Sequence, residues 1–370
     1  MKLGAMIVGV RGATASTLIA TAMAPREGDV ARYLVSQELD VPPVDSIQWG
    51  GWDVRDETWE ETVRRHGVLG EDAAERLERV HVYDAVAFER DHAVVADETK
   101  PAVERGPAIV ARLRDDIRAF RAATGVDRVV VVHLSTPAIL PERDAWPQTA
   151  EAFLEAIDRT AFATAPPYYT AAAIEEGAAV VDYTASPTLE IPGLVALAEA
   201  RGVPLAGRDG STGQTLLKSV LAQMFKTRRL RVRGWYSTNI LGNHDGLVLS
   251  DDRFADTKRI DKTALLEEIL GEPVEAHLVD IRHYGPAGDV KEAWDAVDFE
   301  GWGGLAGTLR INWRACDSLL ATPAILDLVR LTARAAEQGR AGLQVQLSSF
   351  FKYPLGTSER RYLELAKWLI

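Results

Sequence analysis

The chain has 370 residues, 47% hydrophobic and 26% charged, a balance that builds a substantial core and excludes an intrinsically disordered protein. Its 54 acidic against 42 basic side chains give a net charge of −12, which excludes non-specific binding to nucleic acid or anionic lipid and requires any phosphate to be held by a local cluster. A lone cysteine, Cys316, excludes an intrachain disulfide framework and suits a reducing, cytoplasmic compartment.

Lys2, the apolar run after it and the small residues Thr21-Ala22-Met23-Ala24 mimic a secretion signal, but Arg11 interrupts the run, and no later stretch has the length of a membrane span. The segment is better read as a strand over 5–8, a turn Gly9-Val10-Arg11-Gly12-Ala13-Thr14, and a helix beginning near Thr17. Strand, glycine turn and helix start is how a Rossmann unit sets a pyrophosphate on backbone amides. Arg11 stands where a second glycine is usual and Ala15 where a third is, so a plain strand-to-helix connection is nearly as good a reading of the motif alone. A second strand is expected over 44–49, with Gly50-Gly51 as its turn and Asp53 after it to take the ribose hydroxyls of NAD. The long interval from the glycine turn implies an insertion around 25–43.

From 56 to about 120 the sequence reads as charged, alanine-rich helices with a solvated surface, and no function attaches to Arg64, Arg65, Arg76 or Arg79. Four consecutive valines, Val129 to Val132, mark a strand buried on both faces. It ends at Ser135-Thr136-Pro137, where open α/β sheets bind ligands, and His133 inside it reads as a core residue. Another strand is expected over 178–183, then one at 203–207 that leads into Arg208-Asp209-Gly210-Ser211-Thr212-Gly213-Gln214-Thr215 and a helix with Leu216, Leu217 and Val220 as apolar positions. Helix-start amides beside serine and threonine hydroxyls suit a phosphate. Further strand-like runs occupy 230–236 and 276–281.

The most distinctive stretch is Leu241-Gly242-Asn243-His244-Asp245-Gly246, followed by Lys258 and Lys262. A glycine-punctuated polar turn beside two lysines four residues apart suits an anionic, oxygen-rich small molecule, since residues four apart share one helix face. Asp261 is a fitting N-cap for a helix carrying Leu265, Leu266 and Ile269. Two lysines on a solvated face are the commoner meaning of such spacing taken alone. No cysteine or histidine spacing of a zinc or iron site is visible, so no metal is expected.

Taken together, Gly213-Gln214-Thr215 with Leu217-Lys218-Ser219, the turn from Leu241 to Gly246, Lys258 and Lys262, Gly288-Asp289-Val290-Lys291, Asp317-Ser318-Leu319-Leu320 and Ser348-Ser349-Phe350-Phe351-Lys352-Tyr353 resemble the inositol-1-phosphate synthase family, also called inositol-3-phosphate synthase. Gly51-Trp52-Asp53 and the run from Ser186 to Leu194 share the resemblance, which spans residues 5 to 356.

The resemblance implies an α/β fold: a Rossmann-type doubly wound parallel sheet with an inserted mixed α/β catalytic and oligomerisation domain. The expected division is 1–215, 216–314 and a return over 315–370. It implies an NAD-dependent, net redox-neutral cyclisation of a hexose 6-phosphate: oxidation at C5, enolisation, intramolecular aldol closure from C6 and re-reduction. By resemblance Lys258, Lys262, Lys291 and Lys352 form the catalytic cluster, with Lys258 and Lys352 in proton transfer. Gly9, Arg11, Gly12, Ala13, Thr14, Asp53, Ser135, Thr136, Asp209, Thr212, Gly213, Asp289, Asp317 and Ser318 are the expected cofactor contacts. Ser211, Gln214, Thr215, Gly242, Asn243, His244 and Asp245 are the expected substrate contacts, and a homotetramer is implied. The chain departs from the family pattern at His244, Ser211 and Arg208, where asparagine, lysine and an acid are usual. A relative closing a five-membered ring on fructose 6-phosphate, an ordinary sugar-phosphate dehydrogenase and a non-catalytic NAD sensor are the alternatives. The first keeps the mechanism, the second releases NADH, and the third tolerates loss of Lys258 or Lys352.

Overall fold

The computed structural model describes residues 1–24, 33–86, 105–137, 140–243, 266–353, 355, 365 and 367–369. His244, Asp245, Lys258, Asp261 and Lys262 lie outside the described residues.

Among the described residues the first half of the fold runs through strand β1 (Leu3–Val8), helix α1 (Ala13–Ala22), β2 (Gln48–Asp53), α2 (Trp59–His66), α3 (Asp72–Leu77), β3 (His81–Asp84), α4 (Gly106–Thr124), β4 (Arg128–His133) and α5 (Ala150–Asp158). Then come α6 (Pro166–Glu175), β5 (Ala179–Asp182), α7 (Pro192–Arg201) and β6 (Pro204–Gly207). The strands, with the short β11 (Gly342–Leu343), form one seven-stranded sheet in the order β11-β6-β5-β4-β1-β2-β3, every pairing parallel. The order reverses between β1 and β4, which opens the crevice where doubly wound sheets bind ligands. The all-buried sequences of β1 and of Val129 to Val132 follow from burial on both faces. One face packs on α1 and on α9 (Asp317–Glu337), through Leu18, Ile19, Ile325 and Val329. The other packs on α4 to α7, through Ile117, Phe120, Phe153 and Leu194.

The second strand begins four residues later than the sequence suggests, and Val44–Ser46 is a short 3-10 turn instead. Gly50 and Gly51, taken as punctuation, lie inside β2 because there is no room for a side chain. A Cβ on Gly50 would sit 2.9 Å from the Phe120 ring, and one on Gly51 would sit 2.1 Å from the carbonyl oxygen of Ile7. Asp53 is therefore the last residue of β2, at the crevice. The helical reading of 56–120 also missed β3, a short edge strand.

Helix α8 (Gly213–Thr227) leads to a second sheet of β7 (Arg231–Leu241), β8 (Ala276–His283), β9 (Val290–Gly301) and β10 (Leu305–Cys316), in the order β10-β9-β7-β8. β7 pairs parallel with β8 and antiparallel with β9. These elements run from Gly213 to Cys316, two or three residues beyond the expected insertion at each end. α8 covers the inner face with Ala222 and Phe225, which meet Val232, Trp235, Val297, Leu266 and Ile269. Its amphipathy is inverted: Gln214, Thr215, Lys218 and Ser219 are buried, while Leu216, Val220 and Met224 are exposed. Tyr236, Leu278 and Trp294 on the second sheet are exposed too. Of the apolar positions expected to bury α8, Leu216 and Val220 therefore face outward and Leu217 is half-buried.

Candidate active site

Two cavities adjoin at the carboxyl ends of the parallel strands, one of about 220 Å³ and one of about 160 Å³, and Thr14, Leu134, Ser135 and Asp317 line both.

The first cavity is built largely from backbone. Gly9 follows β1 at φ +86, and a Cβ there would lie 3.2 Å from Ser135 Cα. Its N–H donates to the carbonyl of Trp52 at 2.8 Å, and Gly12 N–H donates to Gly9 O at 3.0 Å. Ala13 and Thr14 then open α1, so its unsatisfied first amides face the cavity rim. Asp53 lines the cavity and is held by the backbone N–H groups of Arg11 at 2.8 Å and Arg55 at 3.0 Å. The Arg11 side chain does not enter. Its guanidinium lies 4.5 Å over the Trp59 ring, and its carbonyl accepts from Arg65 Nη2 at 3.1 Å and His66 Nε2 at 2.8 Å. Ser135, Thr136, Asn243 and Ser318 complete the lining. Arg65 and His66 line it as well, although no pattern singles them out from a charged helix.

The second cavity is lined by charge. Lys352 Nζ donates to Asp209 Oδ1 at 2.7 Å, and Lys291 Nζ to Asp317 Oδ1 at 3.3 Å. All four residues line it, with Thr212, Gln214, Thr215, Tyr183 and Asn239. Lys352 is held by a backbone strap: its N–H donates to Asp209 O at 2.6 Å, and Arg208 N–H donates to Tyr353 O at 3.1 Å. The family departure at Arg208 is absorbed here, where the buried guanidinium pairs with Glu190 and lies 4.2 Å over the Tyr353 ring. Gly213 opens α8 at φ +56, where a Cβ would enter the Trp313 ring.

Three expected contacts stand behind the cavities. Asp289 receives Asn243 Nδ2 at 2.8 Å, Ser318 N at 2.9 Å, Ser318 Oγ at 3.0 Å and the Cys316 thiol at 2.9 Å, and so ties β7, β9 and α9 together. Ser211 is pinned by its N–H to Phe350 O at 2.8 Å. Gly242 packs so that a Cβ would meet Tyr284 O at 2.4 Å. Burial and the nearby Asp317 and Asp209 carboxylates push the Tyr183 phenol above its ordinary range, which makes it a hydrogen-bond donor and unsuited to be a base. Burial lowers the Lys218 ammonium to about 8; it sits 2.7 Å from His277 Nε2 and 5.3 Å over the Trp235 ring.

The family model described as myo-inositol-1-phosphate synthase matches residues 213–318. Inositol-3-phosphate synthase 1 of Bacteroides thetaiotaomicron is 34% identical over 97% of this chain and 91% of its own length. The chain belongs to the inositol-3-phosphate synthase family. The Saccharomyces cerevisiae member is 30% identical, with 90% of this chain and 73% of the relative covered. The fold agrees with inositol-3-phosphate synthase of Caenorhabditis elegans, at TM-score 0.86 and 22% identity over 99% of this chain and 84% of that one. It also agrees with a myo-inositol-1-phosphate synthase-related protein of Thermotoga maritima, at TM-score 0.80 and 21% identity over 100% and 98% of the two chains. The chain is thus an enzyme of the intramolecular lyase type, on a Rossmann-type α/β fold with a second mixed sheet.

Sequence reasoning also missed Asn239, which lines the second cavity, and Asp295, which stands behind it. Their signal was a polar side chain at the inward phase of a period-two strand: Trp235, Ser237, Asn239 and Leu241 point inward on β7, and Ala293, Asp295 and Val297 on β9.

Proposed function

We propose that this enzyme closes glucose 6-phosphate to an inositol phosphate by an NAD-dependent, net redox-neutral cyclisation. The observation that carries the proposal is that a backbone-built cavity at a dinucleotide-type turn shares Thr14, Ser135 and Asp317 with a cavity holding two lysine–aspartate pairs.

In this reading the amides around Gly9, Gly12, Ala13 and Thr14 hold the pyrophosphate of NAD, and Asp53 takes ribose hydroxyls. The fit rests on the close approach at Gly9 and on Asp53, which lines the cavity with its carboxylate oriented by the Arg11 and Arg55 amides. Bound NAD supplies a hydride acceptor for C5 and later the hydride that restores it. Lys352 in its free-amine form takes the proton of the C5 hydroxyl as the carbon is oxidised and returns it when C5 is reduced again, while Asp209 fixes its direction and holds the ammonium formed in between. The C5 ketone acidifies C6, which gives up a proton; the C6 carbanion then attacks the C1 carbonyl, so that the C1–C6 bond forms as the carbonyl π bond opens, and the C1 oxygen takes up one proton in place of the one lost from C6. Lys291 stabilises the anionic oxygens from the Asp317 side, as fixed positive charge beside a developing oxyanion does. The backbone amides of Gln214 and Thr215 in the first turn of α8 hold the phosphate. Lys258, Lys262, His244 and Asp245 join the site on the strength of the resemblance.

The parallel-sheet unit, 1–215 with 315–370, is assigned to the cofactor, and 216–314 to substrate and subunit contacts. The exposed apolar faces of α8 and of the second sheet support a homotetramer, since patches of this kind mark interaction surfaces. A cytoplasmic location accords with the lone cysteine. Among the described residues no helix is long and apolar enough to cross a membrane.

Incubation of the protein and NAD with glucose 6-phosphate, followed by phosphorus and carbon NMR, tests the proposal. A six-membered cyclitol phosphate is expected. Accumulation of free NADH with no cyclised product would contradict it.

A further inference from the structure

Asp295, Gln214 and Asn239 form a hydrogen-bond relay with a fixed direction. Asp295, 4% exposed on β9, accepts from Trp235 Nε1 at 2.7 Å, Ser237 Oγ at 2.6 Å and Gln214 Nε2 at 2.9 Å. An indole N–H can only donate, so the carboxylate is the acceptor, and Gln214 must turn its NH2 toward it. The remaining Gln214 Oε1 accepts Asn239 Nδ2 at 2.7 Å. Asn239 is thereby left with its oxygen. It is 2% exposed and lines the lysine cavity, and its Oδ1 is buried with no donor among the described residues. A buried acceptor without a donor costs free energy that a bound donor recovers.

We infer that Asn239 Oδ1 is a built acceptor for one hydroxyl of the substrate's polyol chain, and that Asp295 is the positioning residue that aims it through Gln214. The inference rests on the sugar-phosphate reading of this cavity. A phosphate offers mainly acceptors and is repelled by an amide oxygen, whereas a sugar hydroxyl can donate. Helix-start amides of α8 that draw the phosphate and an amide oxygen that draws a hydroxyl then sort the two ends of one molecule.

The test is calorimetric binding of glucose 6-phosphate and its 2-, 3-, 4- and 5-deoxy analogues to the NADH-loaded full chain, which cannot oxidise C5, as wild type, Asn239→Ala and Asp295→Asn. Loss of one hydrogen bond should weaken the parent sugar roughly tenfold in Asn239→Ala. One deoxy analogue, already weak with the wild type, should lose nothing more in the variant, while the other three lose the full factor. Asp295→Asn keeps the shape and turns an NH2 toward Gln214, because Oδ1 must still accept from Trp235. That reverses both amides and presents an N–H to the cavity, which a hydroxyl can meet as acceptor; the deoxyfluoro analogue at that position, which accepts but cannot donate, should therefore gain on the parent sugar in Asp295→Asn relative to wild type, a readout that does not need Asn239→Ala to fold. Equal losses for all analogues in wild type and variants would overturn the inference alone. A wild type that binds none of these sugars would overturn it together with the functional reading.

Discussion

Around the first cavity the decisive contacts are made by backbone, in a glycine turn, helix-start amides and an aspartate held by two N–H groups. Around the second they are made by side chains, in two lysine–aspartate pairs and an amide relay. A group that needs only a fixed surface can be held by backbone, which no substitution removes and which only an added Cβ obstructs. Proton transfer and charge stabilisation need titratable groups, which a single substitution deletes. The two cavities should therefore fail in different ways.

The largest expected effect is on the side-chain cavity. Lys352→Met removes the ammonium held by Asp209 and should lower kcat by about 10²–10³-fold, the scale of one lost electrostatic contact to a developing charge. NAD affinity, measured by fluorescence titration, should stay within about twofold. An equal loss of NAD affinity would break the distinction between the cavities. The converse change is Gly9→Val, which places a β-branched residue at φ +86 and 3.2 Å from Ser135 Cα. Strain and close approach cost on the order of 1–3 kcal/mol, so NAD should bind roughly tenfold more weakly, while kcat at saturating NAD changes little.

The smallest effect concerns the floor beneath the charged cavity. Asp182, fully buried at the end of β5, is pushed up to about 7 by burial, against the hydrogen bonds it accepts from Thr184. Its folded-state value lies above the ordinary 3.8, so folding retains a proton that the unfolded chain releases. Its contribution to stability is full below about pH 4 and is lost as pH rises toward 7. Asp182→Asn keeps an oxygen for Thr184 and removes that dependence. The Tm advantage of the variant should grow from pH 4 to 7 by on the order of a few °C, and a constant difference across that range would contradict the assignment.

Much of the parallel sheet could be read from the chain, because burial on both faces leaves strands such as β4 with no polar phase to obscure them. β2 was displaced because Gly50 and Gly51 look like a turn, yet they are glycine to admit Phe120 and the Ile7 backbone, contacts that are far apart in sequence. β3, short and half-exposed among charged helices, carried no periodic signal. α8 misled in another way: Leu216, Val220 and Met224 face outward, while Gln214, Thr215, Lys218 and Ser219 are buried beside Ala222 and Phe225. In the site, the glycine turn and the lysines stood out by motif. Asp289 carries a motif but serves as a clamp, and Asn239 shows only as a polar residue at an inward position of β7.

The most direct test of the account is the fate of deuterium in 5-deuterated glucose 6-phosphate, incubated with the protein and unlabelled NAD. If the cavities act as one site, hydride taken from C5 returns to it, so the inositol phosphate retains the label in full and no free NADH appears. Protium at that carbon, with deuterium recovered in NADH in solution, would contradict a closed cycle and reduce the protein to a dehydrogenase.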